Sequence, residues 1–134
     1  MSGVTRTSGQ PIVPKPPVGL KVEDVRPLLG HAEPDVAACA GYLLVLLGDA
    51  DGMAPLLRFW RQQRADYNEW TSLAYRAIAV ADDPQYVPVL AEIYAKLKEY
   101  EVSEFYWTIR SMSGPEILKL RKRIRDEVGM SRLQ

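Results

Sequence analysis

The sequence is poor in the residues on which catalysis and metal binding usually depend. Its 134 residues include one cysteine and one histidine. An internal disulfide is therefore impossible, and a zinc site built only from protein side chains would lack its usual ligands. The motifs of phosphate-binding loops, dinucleotide-binding turns, zinc proteases and nucleophile elbows are also missing. We therefore predict a protein without catalytic activity of its own, without a cofactor and without a metal.

The lone cysteine, Cys39, and the lone histidine, His31, could form a nucleophile pair only if the fold brought them together. Cys39 falls on the apolar stripe of a predicted helix, where a buried, inert thiol is the usual outcome. His31 falls in a predicted turn between helices. We therefore favour a structural interpretation for both residues.

Net charge and long apolar runs are lacking as well. Seventeen basic residues balance seventeen acidic ones, so overall charge gives no reason to expect nucleic acid or an anionic membrane as the main partner. The longest apolar stretch, residues 37–47, is interrupted by Gly41 and is shorter than the ~20 residues of a membrane span. The N-terminus lacks the pattern of a signal peptide. We expect a soluble, cytoplasmic protein, unless the sequence is part of a longer chain.

Prolines are concentrated near the N-terminus, where four of the ten lie between positions 11 and 17. Proline disfavours both helix and sheet interiors, so residues 1–20 are predicted to form a flexible linker or tail. Residues 11–14 also match the P-x-x-P motif that SH3-like domains bind, although a spacer is the favoured interpretation. The folded domain is predicted to span residues 21–134.

From residue 22 onward, apolar residues recur at the three- and four-residue spacing of amphipathic helices. Proline, glycine and aspartate interrupt the pattern at short intervals, where they favour helix starts, ends and caps. The pattern predicts an all-α fold of about seven helices. The predicted buried stripes include Val36, Cys39, Ala40, Leu43, Leu44 and Leu47 in the second helix, Met53, Leu56, Leu57 and Trp60 in the third, and Trp70, Leu73, Ala74, Ala77, Ile78 and Ala81 in the fourth.

The same order of features occurs three times along the chain. An apolar helix leads to a short turn, at residues 48–49, 82–83 and 113–114, and another apolar helix follows. The turns are a little over thirty residues apart, within the range of helical solenoids. A helical hairpin cannot bury its apolar stripe alone and must stack on its neighbours. The repetition therefore predicts stacked antiparallel helical hairpins.

The segment Ala74–Pro84, followed by Val87-Pro88-Val89-Leu90, resembles the short HEAT-like repeats named after phycobilin lyases. Leu46-Leu47-Gly48-Asp49 is similar to a second copy, and the third unit is more divergent. The resemblance covers about residues 22–128 and implies an α-solenoid. Such repeats occur in lyase subunits, scaffolds and adaptors, so the resemblance also implies a function in interaction.

The second helix of each pair in a helical solenoid usually lines a concave binding surface. Tyrosine, tryptophan and arginine are the residue types enriched at binding hot spots. Aligning the three units on their turns places such residues off the predicted stripes. The predicted partner-binding residues are Tyr42, Arg76, Trp107 and Arg110, with Tyr75 and Tyr106 nearby. We predict a scaffold or protein-interaction module that binds another protein there, alone or within a longer repeat array.

Two alternatives remain at this stage. The chain could be an enzyme-associated, lyase-like subunit whose active groups lie elsewhere. It could also bind nucleic acid through the basic last helix, where the candidate residues are Lys119, Arg121, Lys122, Arg123 and Arg125. That helix contains no aromatic residue for base stacking, and acidic residues follow directly. A charged outer face that caps the repeats is therefore the favoured interpretation.

Overall fold

A computed structural model describes residues 17–63 and 69–133, which are helical apart from short connections. The helices are α1 (Val22–Val25), α2 (Pro34–Leu46), α3 (Met53–Gln62), α4 (Glu69–Ala81), α5 (Val87–Lys96), α6 (Glu99–Ile109) and α7 (Pro115–Val128). Single 3-10 turns cover Arg26–Gly30, Ala50–Gly52, Pro84–Tyr86 and Met130–Leu133. No strand occurs in these two ranges, which confirms the all-α class. The predicted linker up to residue 16 lies outside the described residues. So do Asp66 and Asn68, which the sequence offers as N-caps for the fourth helix.

The helices pack as successive neighbours. Helix α2 contacts α3 and α4, and α4 in turn contacts α6. Helix α5 contacts α4 and α7, while α7 also contacts α6. Helices α2, α4 and α6 are therefore consecutive neighbours, with the intervening helices packed against them. No helix within the described ranges is long and apolar enough to cross a membrane.

The buried face of α3 is the one that the sequence predicts. Met53, Leu56, Leu57 and Trp60 are all buried. The indole Nε1 of Trp60 donates a hydrogen bond to the Thr71 hydroxyl at 3.1 Å. This bond satisfies two buried polar atoms and joins α3 to α4.

The predicted buried stripe of α2 is partly wrong. Cys39, expected in the core, is exposed, whereas Ala38, Gly41 and Val45 are buried. A Cβ atom added to Gly41 would lie less than 3.0 Å from the carbonyl oxygen of Gly52. Helix α2 thus turns its smallest residues toward the next turn, because only they allow the two backbones to come so close.

The first two turns repeat each other at an offset of 34 residues. Gly48 has a φ of 92° and Asp82 a φ of 48°, so both occupy the left-handed region after a helix. The next residues, Asp49 and Asp83, each accept a hydrogen bond from the backbone N–H two positions later. A 3-10 turn and then a ten-residue helix follow in each case. The third turn differs, with Gly114 preceding α7 directly.

Candidate functional site

Three consecutive helices carry the row of side chains that the alignment of the units predicts. Tyr42 lies on α2, Arg76 on α4 and Trp107 on α6, and all three are half-buried. Arg110 is exposed, one helical turn beyond Trp107. We call the outward side of α2, α4 and α6 that bears these residues the row face.

Arg76 is the centre of the row face. Its Nη2 atom donates a 2.8 Å hydrogen bond to Oε1 of Glu104 on α6. Burial lowers the pKa of Arg76, but the hydrogen bond and charge of Glu104 outweigh that effect, so the pKa is raised overall. The guanidinium therefore stays charged and links α4 to α6. Its Nε atom is buried and has no hydrogen-bond partner among the described residues.

Tyr42 meets Arg76 from the other side. Burial raises the pKa of the Tyr42 hydroxyl, and the charge and hydrogen bond of Arg76 partly oppose that rise. Because the hydroxyl stays protonated at neutral pH, it can both donate and accept a hydrogen bond. Tyr42, Arg76 and Glu104 thus form a polar line across three helices.

Trp107 uses its polar atom inside the protein. Its indole Nε1 donates to the carbonyl oxygen of Leu133, which also accepts a 3.0 Å bond from the Ser103 hydroxyl. Leu133 itself is fully buried. The guanidinium carbon of Arg110 lies 4.9 Å from the centre of the Trp107 ring, which is within cation–π range. Trp107 can therefore offer a partner its half-exposed ring, with the guanidinium of Arg110 above it.

Tyr75 and Tyr106, expected to lie near the partner surface, belong to the core instead. Their exposed fractions are 1% and 2%. The Tyr75 ring packs edge-on against Phe105 at 5.1 Å, and the Tyr106 hydroxyl accepts a 3.0 Å bond from Arg125. Each is adjacent in sequence to a row-face residue. Because successive residues of an α-helix are rotated by about 100° about its axis, each tyrosine lies on the inner side of its helix.

Three of the five basic residues of α7 form ion pairs within the described structure. Lys122 lies 2.7 Å from Asp126 and Arg123 lies 3.4 Å from Glu127, each one helical turn ahead. Lys119 is 4.0 Å from Glu116. Such intrahelical pairs reduce the field that a phosphate backbone would experience.

A cleft of about 520 Å³ opens between α5, α6 and α7. On its wall the Tyr94 hydroxyl donates a 2.7 Å bond to Oε1 of Glu127. Burial and this carboxylate raise the pKa of Tyr94 to about 12. Arg132 and Glu99 form an ion pair that also lines the cleft. None of the row-face residues Tyr42, Arg76, Trp107 and Arg110 lines this cleft.

Another cavity, of about 240 Å³, lies between the first and second turns. Leu46 and Val80, each half-exposed, line it together with buried Met53. Leu46 is one helical turn beyond Tyr42, and Val80 is one helical turn beyond Arg76. The cavity therefore borders the row face.

Sequence reasoning missed two parts of this surface. Glu104 reads as one of several solvated carboxylates, because pairing between helices leaves no local signal. Leu46 and Val80 read as ordinary apolar helix residues, although the repeat offset of 34 relates them just as it relates Tyr42 to Arg76. Among the described residues no group of His, Cys, Asp and Glu is arranged to hold a metal ion.

Comparison of the chain with protein-family models, curated proteins and solved structures finds no significant match. The resemblance to HEAT-like repeats therefore stays a prediction from the sequence.

Proposed function

We propose that the chain is a HEAT-like helical-repeat module that binds a partner protein on the row face. The observation that carries the proposal is the line Tyr42–Arg76–Glu104, which crosses three neighbouring helices. Residues at equivalent positions of successive units form a continuous strip in repeat proteins. The strip here combines aromatic area with charged, hydrogen-bonding ends, which is the composition of binding hot spots.

The repeated turn geometry supports the solenoid arrangement. Two units share the same turn design. Each has a left-handed residue (48 or 82), then a capping aspartate (49 or 83), then a 3-10 turn at the same offset. Units of the same design stack with a regular rotation, which places equivalent side chains on one surface. The second and third units continue the strip through Arg76 and Glu104.

Binding on this face would engage Arg76 and Arg110 differently. Arg76 already bonds Glu104, so a partner hydrogen-bond acceptor would share its guanidinium rather than meet a free cation. Arg110 is exposed and held above the Trp107 ring, which fixes a cation beside an apolar surface. These two arginines are therefore the residues to test.

The test is affinity capture from a nuclease-treated lysate of the source cells. The Arg76→Gln, Arg110→Gln double variant removes two positive charges from the row face but keeps most of each side chain. Lys119→Gln, Lys122→Gln removes two charges from α7 and is the matched control. We expect a specific protein that native and control chains capture and the row-face variant loses by about tenfold or more.

Two outcomes would contradict the proposal. Equal capture by the native chain and the row-face variant would place the binding surface elsewhere. Retention of the native chain on heparin that weakens steeply with salt, and that the α7 variant loses, would favour the nucleic-acid alternative instead.

A further inference from the structure

The cavity between the first and second turns lies where the repeat units differ at one position. At the second turn the Asp82 carboxylate reaches the third unit, where it accepts 3.0 Å bonds from the backbone N–H and hydroxyl of Ser113. The equivalent position of the first turn is Gly48, which has no side chain to reach the second unit. Gly48 and Ala50 line the cavity. These small residues leave a gap at the junction between the first and second units, which we call the first seam. Asp82 bridges the junction between the second and third units, the second seam.

The walls of this cavity suit one apolar side chain. Leu46, Met53, Val80 and Tyr86 supply aliphatic and aromatic surface. Sites for free small molecules usually enclose about 300–1,000 Å³, whereas this cavity measures about 240 Å³. Its size is thus closer to that of an anchor pocket for a single side chain of a larger partner.

The rim of the cavity is acidic. Asp83 lines it, and Asp49 and Asp51 flank the lining residue Ala50 in the chain. Among the described residues, Arg26 alone forms ion pairs with this group, through Asp49 and Asp51. One guanidinium does not balance three carboxylates, so the rim carries a net negative charge.

The third carboxylate, that of Asp83, forms no ion pair with a basic side chain of the described residues. Its hydrogen bonds come from the backbone N–H and the side-chain amide of the neutral Gln85. The hydrogen bonds from Gln85 lower the pKa of Asp83. A cation placed at the mouth of the cavity would therefore meet ionised oxygens, and complementary charge both speeds encounter and selects among partners.

We propose that this cavity is the anchor pocket for a partner segment that inserts one large apolar side chain and carries lysine or arginine beside it. The proposal rests on the proposed function, since the pocket borders the row face, and it adds a sequence requirement on the partner. The row face supplies area, and the pocket supplies the position where apolar and basic residues must be adjacent.

A random library of nine-residue peptides displayed on phage tests this requirement. Selection on the native chain, with depletion on the empty support, should enrich sequences with one large apolar residue next to lysine or arginine. Enrichment of acidic sequences, of sequences without an apolar anchor, or of none at all would overturn the proposal.

One enriched peptide is then synthesised and its affinity measured by fluorescence anisotropy. We expect Val80→Glu to weaken binding by about tenfold or more, because it places a charge in the pocket wall. Asp83→Asn, which can still cap the turn, should weaken binding about threefold, the size of one exposed charge pair. Asp126→Asn, on α7, is the control and should change nothing.

Val80 is half-buried, so Ala50→Trp provides a second test from an exposed position that fills the pocket. Loss of binding in Ala50→Trp with native helical circular dichroism would support the pocket. Peptides that still bind both pocket variants but are lost by Arg76→Gln, Arg110→Gln would refute the pocket and leave the row face standing.

Discussion

The close approach of Gly41 to Gly52 makes a sharp prediction about stability. Gly41 lies in α2 and Gly52 in the 3-10 turn before α3, and each would place a Cβ atom less than 3.0 Å from the other's carbonyl oxygen. Both neighbours are backbone atoms, which cannot move aside as a flexible side chain would. Replacing Gly41 by alanine must therefore push α2 away from the turn that precedes α3.

The magnitude follows from two opposing effects. Overpacking a well-filled site costs about 1–3 kcal/mol, and rigid backbone neighbours place this case near the upper end. Alanine is better than glycine inside a helix by about 1 kcal/mol. We expect Gly41→Ala to lower the free energy of unfolding by about 2 kcal/mol. Urea denaturation followed by helical circular dichroism measures it.

Gly30→Ala is the matched control. Gly30 ends a 3-10 turn and a Cβ atom there would meet nothing within 4 Å. Alanine should be neutral or stabilising by up to about 1 kcal/mol, because it restricts the unfolded chain. A Gly41→Ala protein as stable as the native chain would refute the close packing of α2.

The double variant Gly41→Ala, Gly52→Ala extends the argument. One separation of the two backbones relieves both clashes, so the second alanine should cost less than it does alone. Contacting residues commonly show coupling of about 0.5–3 kcal/mol. Strictly additive effects would mean that the two glycines do not meet.

Three further perturbations follow from the structure. The folded-state pKa of Tyr94 is raised to about 12, so its contribution to stability is present below pH 10 and is lost as the pH rises toward 12. The midpoint of urea denaturation should therefore fall over this pH window. Tyr94→Phe should flatten that fall, whereas Tyr100→Phe, at an exposed position, should not. Asp82→Ala should cost about 1–3 kcal/mol in urea denaturation, since it loses two hydrogen bonds to Ser113 and keeps a left-handed backbone, while Asp82→Asn should stay near native. Exposed Cys39 should react with a thiol reagent in the native protein about as fast as in urea, and slow native labelling would contradict the position of α2.

Sequence periodicity predicts α3 well and α2 poorly for a physical reason. In α3 the large apolar residues Leu56, Leu57 and Trp60 stand out against charged neighbours, so one face is marked. Helix α2 is apolar nearly all round, and no stripe is marked. Its orientation is decided instead by Gly41 meeting Gly52, a contact between two segments that no single window of sequence contains.

The candidate site was predictable where the repeat carries it. Aligning turns related Tyr42 to Arg76, and the structure indeed places both on neighbouring helices with an interaction between them. The alignment gave a wrong position for Tyr75, because α4 buries residues over a wide arc and the position next to Arg76 is already in the core. Glu104 could not be found, because its role comes from a distance between α4 and α6.

At the two seams between the units, the differences between the repeats matter more for binding than the features that the repeats share. Both begin with a left-handed residue, and only the side chain differs. Asp82 directs its carboxylate to Ser113 and bridges the second seam. Gly48 forms no such bond, so the first seam depends on packing around Met53 and keeps a cavity. A seam that is held by fewer polar contacts can accept a foreign side chain without breaking an internal bond, which is the physical reason to look for specificity there.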